Sequence, residues 1–211
     1  LTMAEIYAKY VNSCVGITVD IVSTNIFGQT VTGAAAGSGF VITEDGYILT
    51  NYHVIDGASS IKVTFVDGTE YDATYIGGEE LNDVAVLKID ASGLTPAQFG
   101  DDTLLRSGDP VSAIGNPMGY RSTITPGIVS ALDQPVSVEG TTMYLLQTSA
   151  AINYGSSGGA LLNDRGQVVG VTTIKIVADD GSAEGLGFAI PTVTVKAVVE
   201  ELIGQGFVAG R

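Results

Sequence analysis

The run Gly155-Ser156-Ser157-Gly158-Gly159 holds a serine in a setting where its hydroxyl could be presented as a nucleophile. A serine hydroxyl attacks a carbonyl only when a neighbouring base removes its proton. Imidazole, titrating near ~6.5, suits that task, and His53 is the only histidine in the chain. A carboxylate would complete the set by holding the second ring nitrogen. Of the acids between His53 and Ser157, Asp56, Asp67, Asp72, Glu79, Glu80, Asp90, Asp101, Asp102, Asp109, Asp133 and Glu139 read as turn or surface residues. Asp83 directly precedes the apolar run Val84-Ala85-Val86-Leu87-Lys88-Ile89 and could be carried inward with it. Each of the three also has a plainer reading. The Gly/Ser run could be a flexible turn, His53 a structural residue at a strand end, and Asp83 a strand-leading turn residue beside Asn82.

The order of these residues along the chain narrows the chemistry. Gly155 to Gly159 fits G-x-S-x-G, the nucleophile elbow of α/β hydrolases, but that fold places its histidine after the serine. Here the histidine comes first, and alternating helices are missing from the pattern. His, then Asp, then Ser is the order of the chymotrypsin-like proteases.

The elements that would position these groups are mostly short strands. Segments rich in Val, Ile, Thr and Tyr occur at 39–43, 47–51, 60–66, 70–76, 84–89, 111–114, 124–132, 143–148, 168–173 and 187–190. Turns such as Glu44-Asp45-Gly46, Val66-Asp67-Gly68 and Asp164-Arg165-Gly166 separate them. Spacing of this kind predicts an all-β barrel or sandwich. A short helix is expected over Met3–Val11, from Ile6, Tyr7 and Tyr10, and an amphipathic one over Pro191–Gly204. The weakly periodic stretch 92–107 reads as a linker, dividing the chain into 1–95 and 96–211.

Composition removes other classes of function. Hydrophobic residues make up 45% and charged ones 15%, which fits a folded chain rather than a disordered one. A net charge of -14 with nine Lys and Arg argues against nucleic acid as a partner. Cys14 is the only cysteine, so no internal disulfide forms, and its apolar surroundings suggest a buried thiol. One Cys and one His cannot assemble a soft-ligand zinc site, and Asp179-Asp180-Gly181 lacks the spacing of a calcium loop. No metal or other cofactor is expected. No apolar run is long enough to cross a membrane as a helix.

Several motifs together resemble the HtrA (Deg) family of serine proteases. They are Gly37-Ser38-Gly39-Phe40-Val41-Ile42, Gly46 to Ile55 around His53, and Asn82 to Ile89 around Asp83. Further along come Gly115-Asn116-Pro117-Met118-Gly119, Thr125-Pro126-Gly127-Ile128-Val129-Ser130, Ala150 to Gly159 and Gly185 to Pro191. The resemblance implies two six-stranded antiparallel β-barrels of chymotrypsin-like type, flanked by the short terminal helices. It implies His53 as general base, Asp83 as its orienting partner and Ser157 as nucleophile, with an oxyanion hole from Gly155, Ser156 and Ser157. Ser149, Ser156 and Ala160 depart from the family pattern of Asp, Asn and Pro, and none is a triad member.

From the same resemblance, a primary pocket is expected from Ala151, Ile152, Tyr154, Thr172, Thr173 and Ile174, suited to small or medium aliphatic side chains. Ser156 occupies the place of the zymogen-activating Asp, so control is expected from loop ordering, after Asn116, over 133–142 and over 176–187. The family implies unfolded polypeptides as substrates in protein quality control and an extracytoplasmic location in bacteria. It also implies a homotrimer, with Tyr7 and Tyr10 as interface aromatics or as packing for the first helix. A membrane anchor outside these residues and a PDZ domain after them are further expectations. The competing readings are a non-catalytic binding or chaperone module and an esterase on the same fold.

Overall fold

Strand β1 (Cys14–Thr24) shows how the sequence builds the first barrel. Cys14, Val15, Gly16 and Ile17 are all buried, because this end of the strand is covered on both faces; beyond Val19 the strand is mostly exposed. In the computed structural model, residues 1–117, 121–138, 140–173 and 186–206 are described. β1 pairs on one side with β2 (Thr30–Val41) and on the other with β4 (Ala58–Phe65). With β3 (Tyr47–Thr50), β5 (Glu70–Glu79) and β6 (Val84–Ile89) they close a barrel in the order β1-β2-β3-β6-β5-β4. The second barrel holds β7 (Pro110–Gly115), β8 (Thr123–Val138), β9 (Thr141–Thr148), β10 (Ala160–Leu162), β11 (Val168–Thr173) and β12 (Gly187–Pro191). It closes as β10-β11-β12-β9-β8-β7, with β7 pairing back on β10. Every pairing within the two barrels is antiparallel.

The expected architecture of two six-stranded barrels with short helices at both ends is therefore present. α1 (Met3–Tyr10) is opened by a capping box, with Thr2 Oγ1 accepting from the Glu5 N–H and Glu5 Oε2 accepting from the Thr2 N–H. α3 (Thr192–Gln205) stops at Gly206, whose φ of 78° is the left-handed value that closes helices. Its exposed first turn receives a cap from the linker, where Asp102 Oδ1 accepts from the Val193 N–H at 2.8 Å.

Three local features differ from the sequence expectation. β1 and β10 lie outside the segments read as strands, and β2 begins nine residues before Gly39 at Thr30, where exposed residues show no alternation. Pairing with β1 over the whole hairpin, not local pattern, sets that strand. The apolar segment before His53 is extended only as far as Thr50, and His53 itself lies not at a strand end but in one helical turn, α2 (Tyr52–Ile55). The linker is a strap rather than a free tether. The Ala97 N–H donates to Val41 O, while the Gly100 N–H donates to Val168 O and the Val168 N–H to Gln98 O.

One hydrophobic cluster runs through both barrels. It joins Phe40, Leu49, Val84 and Val86 of the first to Ile114, Leu145, Leu162, Val171 and Ile190 of the second, and Val195, Val198 and Leu202 of α3 seal it. Tyr10 is 2% exposed and packs on Phe40 with ring centroids 6.1 Å apart, so packing the first helix is what this side chain does. Tyr7 is half-buried, its hydroxyl donating to Ser122 O at 3.3 Å.

Cys14 lies in the same cluster, and burial pushes its thiol up to about 12. The native thiol is expected to resist a disulfide-exchange reagent at pH 8 that modifies the denatured chain rapidly. The sign of the linkage follows. Between the usual thiol range near 9 and about 12, the unfolded chain loses this proton while the folded one keeps it, so stability falls as pH rises through that window. Denaturant titrations at pH 8 and pH 10.5, compared with a Cys14→Ala variant, would reveal the difference.

Candidate active site

Asp83 enters the structure in an unusual backbone state. Its φ is 56°, one of two positive values among non-glycine residues described. A conformation of this kind costs about 1–3 kcal/mol and persists only where surrounding bonds hold it. Those bonds are visible: the Asp83 N–H donates to Glu80 O, and Asp83 O accepts from Asn51 Nδ2 at 2.9 Å. The turn delivers the carboxylate, fully buried, to the base of α2.

There the carboxylate is used by three donors. Oδ1 accepts from the backbone N–H of His53 at 2.9 Å, and Oδ2 lies 2.8 Å from His53 Nδ1. Thr173 Oγ1, on β11 of the second barrel, donates to the same Oδ2 at 2.9 Å. A buried carboxylate accepting three hydrogen bonds is held rigidly, and as an acceptor it favours the tautomer with the proton on Nδ1. That leaves Nε2 as the acceptor, and the His53 side chain is 29% exposed.

Ser157 follows β9 on a tight loop whose backbone is tied to both barrels. Gly155 has φ 87° and Gly158 has φ 87°, values that L side chains avoid. A Cβ on Gly158 would strike Ser38 O and Thr50 Oγ1 and come within 3.2 Å of the Asn51 N. A Cβ on Gly37 would meet both the Val54 side chain and Ser157 O. The loop carrying Ser157 therefore abuts Asn51 directly and lies close to Val54 across Gly37, two residues that flank His53 along the chain. Ser157 itself is 2% exposed.

The loop backbone sorts the sequence-derived oxyanion donors. The Ser156 N–H donates to Asn153 O at 2.9 Å and is spent there. The Gly155 N–H makes no backbone bond among the described residues. Of the three residues named from sequence, Ser156 thus has its N–H engaged within the loop, while that of Gly155 has no backbone partner among those described. A small cavity of about 30 Å3 beside Ser156 is lined by uncharged side chains, among them Asn153, Ala151, Thr125 and Thr172.

The residues expected to line the primary pocket divide. Ala151 is exposed, and Ile152 is half-buried and packs beside Gly187. Tyr154 is 90% exposed. Thr172 and Thr173 are buried, and their hydroxyls are turned to other work. Thr172 Oγ1 donates to Ser156 O at 2.8 Å, bracing the Ser157 loop, and Thr173 Oγ1 serves Asp83. Ile174 and the 176–185 part of the expected control loop lie outside the described residues, as do 118–120 and Glu139 of the other two. A cavity of about 490 Å3 lined by Phe99, Arg106, Asp109, Asn163, Arg165 and Lys196 contains none of the groups described above.

Ser38 was overlooked in the sequence except as part of Gly37-Ser38-Gly39. It is fully buried and touches the Ser157 loop through both its backbone and its side chain. Glycines on either side of a buried polar residue at a strand end are the signal that could have found it, since they mark close backbone approach.

Two antiparallel barrels, with a histidine and aspartate on one and a serine on the other, define a serine peptidase of the trypsin-like class. The trypsin-like peptidase domain model matches residues 37–171, and the chain belongs to that family, within its HtrA type. A solved HtrA-type protease AlgW with a decapeptide superposes with a TM-score of 0.84 at 32% identity, covering 98% of this chain and 69% of that one. The serine protease Do-like HtrA of Bacillus subtilis is 46% identical over 185 residues, 83% of this chain. A probable periplasmic serine endoprotease DegP-like of Chlamydia trachomatis is 45% identical over 177 residues, 82% of this chain. The chain spans 41% and 35% of the lengths of these two relatives.

Proposed function

We propose that the chain is a serine endopeptidase acting on unfolded or misfolded polypeptides, through an acyl-enzyme formed on Ser157. The observation that carries the reading is the buried, triply bonded Asp83 carboxylate set against His53 Nδ1, which favours the tautomer a general base needs. Ser157 Oγ attacks the scissile carbonyl and its proton passes to His53 Nε2. The Gly155 and Ser157 N–H groups hold the oxyanion of the tetrahedral intermediate. His53 then protonates the departing amine, and water, activated by the same imidazole, releases the acyl group. The 1–95 and 96–211 halves would act together as one protease domain.

The substrate side chain before the scissile bond is small or medium aliphatic in this reading. Residues 149–160 carry no carboxylate to neutralise Lys or Arg, and Ala151 stands six residues before the nucleophile. Peptide sets varying only that position are expected to show Val, Ala or Leu cleaved at least about tenfold better than Arg, the scale of one or two buried methylenes. Preference for Arg would overturn the assignment.

The printed names of relatives, a periplasmic endoprotease among them, support an extracytoplasmic setting. A homotrimer formed through the N-terminal segment, and an anchor beyond these residues, belong to the same proposal. Among the described residues no helix is long and apolar enough to cross a membrane. Casein degradation together with fluorophosphonate labelling of Ser157 tests the endopeptidase reading. Labelling without cleavage of any polypeptide would favour an esterase, and neither result would leave a binding module.

A further inference from the structure

The Ser38 hydroxyl sits between two backbone groups of the second barrel. The Asn116 N–H lies 2.8 Å from Ser38 Oγ, and Ser38 Oγ lies 2.6 Å from Gly155 O. An N–H can only donate and a carbonyl can only accept, so the hydroxyl proton has one place to go. Ser38 donates to Gly155 O and accepts from Asn116. Its backbone N–H meanwhile donates to Ser157 O at 2.8 Å. One residue of β2, in the first barrel, therefore holds the carbonyls at both ends of Gly155-Ser156-Ser157.

The consequence for the loop is geometric. The Gly155–Ser156 peptide unit is pinned through its carbonyl by Ser38 Oγ and through its N–H by Asn153 O. The N–H groups of Gly155 and Ser157 flank that unit, and their directions follow from its orientation. Gly155, with φ 87° and no side chain, has the conformational freedom to rotate if the carbonyl is released. Space does not hold the orientation by itself. Gly115 packs so closely on Ser38 that a Cβ there would approach Ser38 Oγ to 2.8 Å, but the contact restrains Ser38 rather than Gly155.

We propose that Ser38 is a positioning residue for the oxyanion hole, and that it links the end of β7 at Asn116 to the direction of the two donors. The inference rests on the endopeptidase reading of the site. Ser38 touches neither substrate nor reacting atoms. It removes the alternative peptide orientation in advance, so that the donors need no reorganisation when charge develops.

The test compares Ser38→Ala with Ser13→Ala in the full chain. Ser13 is also buried and donates its hydroxyl to a backbone carbonyl, that of Thr95 at 2.8 Å, away from the site. Ser13→Ala frees one carbonyl of exposed Thr95, while Ser38→Ala leaves a buried carbonyl and a buried N–H without a partner, so Ser38→Ala should lose more thermal stability and the comparison rests on kcat at temperatures where both are folded. Ser38→Ala is expected to lower kcat by about 10- to 100-fold with KM changed less than about threefold, below the loss seen when a donor itself is removed. Affinity for a peptidyl boronic acid, whose adduct places an oxygen in the hole, should fall by the same factor as kcat. Ser13→Ala should do neither.

Equal kcat in Ser38→Ala and the parent, or equal losses in both variants, would overturn the proposal. If Ser38→Ala does not fold, Ser38→Thr and Ser38→Cys grade the donor strength at the same place. Activity should then be higher with Thr than with Cys, and equal activity would overturn the idea. A parent protein that neither cleaves casein nor takes up fluorophosphonate would instead remove the endopeptidase reading itself.

Discussion

Ser157→Ala is expected to lower kcat on casein or a Val-containing peptide by about 10⁶, while the protein stays folded. Ser157 is 2% exposed in a loop whose backbone is held by Ser38, Asn153, Thr172 and Ser156, and the substitution removes one oxygen without disturbing those bonds. His53→Ala should cost about as much, and the double variant little more than either alone, because the two groups act in one step. Initial rates of the three variants, with melting curves to confirm folding, decide the matter. More than about 1% of parental turnover in Ser157→Ala, against a loss of about 10⁶ expected for groups acting as a unit, would mean the nucleophile lies elsewhere.

Asp83→Asn is expected to cost about 10⁴ in kcat, with little effect on KM. The reason lies in the donors that surround the carboxylate. The His53 N–H faces one oxygen, and His53 Nδ1 with Thr173 Oγ1 faces the other. An amide has a single acceptor oxygen. If that oxygen meets the His53 N–H, the new NH2 faces Nδ1, and the ring must carry its proton on Nε2. The imidazole is then in place but cannot accept the Ser157 proton. If the amide turns over, the NH2 opposes the His53 backbone N–H inside a fully buried site. Rates measured up to high pH separate the two cases from simple unfolding, since a tautomer defect is relieved as hydroxide takes over the proton. A variant within tenfold of the parent would rule out the tautomer role, for which the expected loss is about 10⁴.

The barrels and the terminal helices were legible because period-two alternation, turn glycines and a capped amphipathic segment are local signals. β1 and β10 were not, since strands covered on both faces lose their alternation; β10 is buried at all three of its positions. The proposed triad residues were singled out by type and order, with Asp83 preferred among the acids only through the resemblance. The positive φ that aims its carboxylate is a product of bonds to Asn51 and Glu80 that no pattern announces. Thr172 and Thr173 could be placed on a strand, but not their hydroxyls, whose directions depend on the carbonyl of Ser156 and the carboxylate of Asp83. Ser38 was missed for the same reason, because its partners lie 78 and 117 positions away along the chain.

The hydrophobic cluster that passes through both barrels has a consequence for the lifetime of the molecule. Phe40 and Leu49 share their core with Ile114 and Ile190, and α3 closes over the join. Opening one barrel alone would strip apolar surface from the other, so a half-open chain is disfavoured by both halves at once. For a protein proposed to digest unfolded polypeptides, a partly opened copy would be food for its neighbours. A seam shared in this way keeps each molecule either whole and able to cut, or wholly open, with few copies caught between.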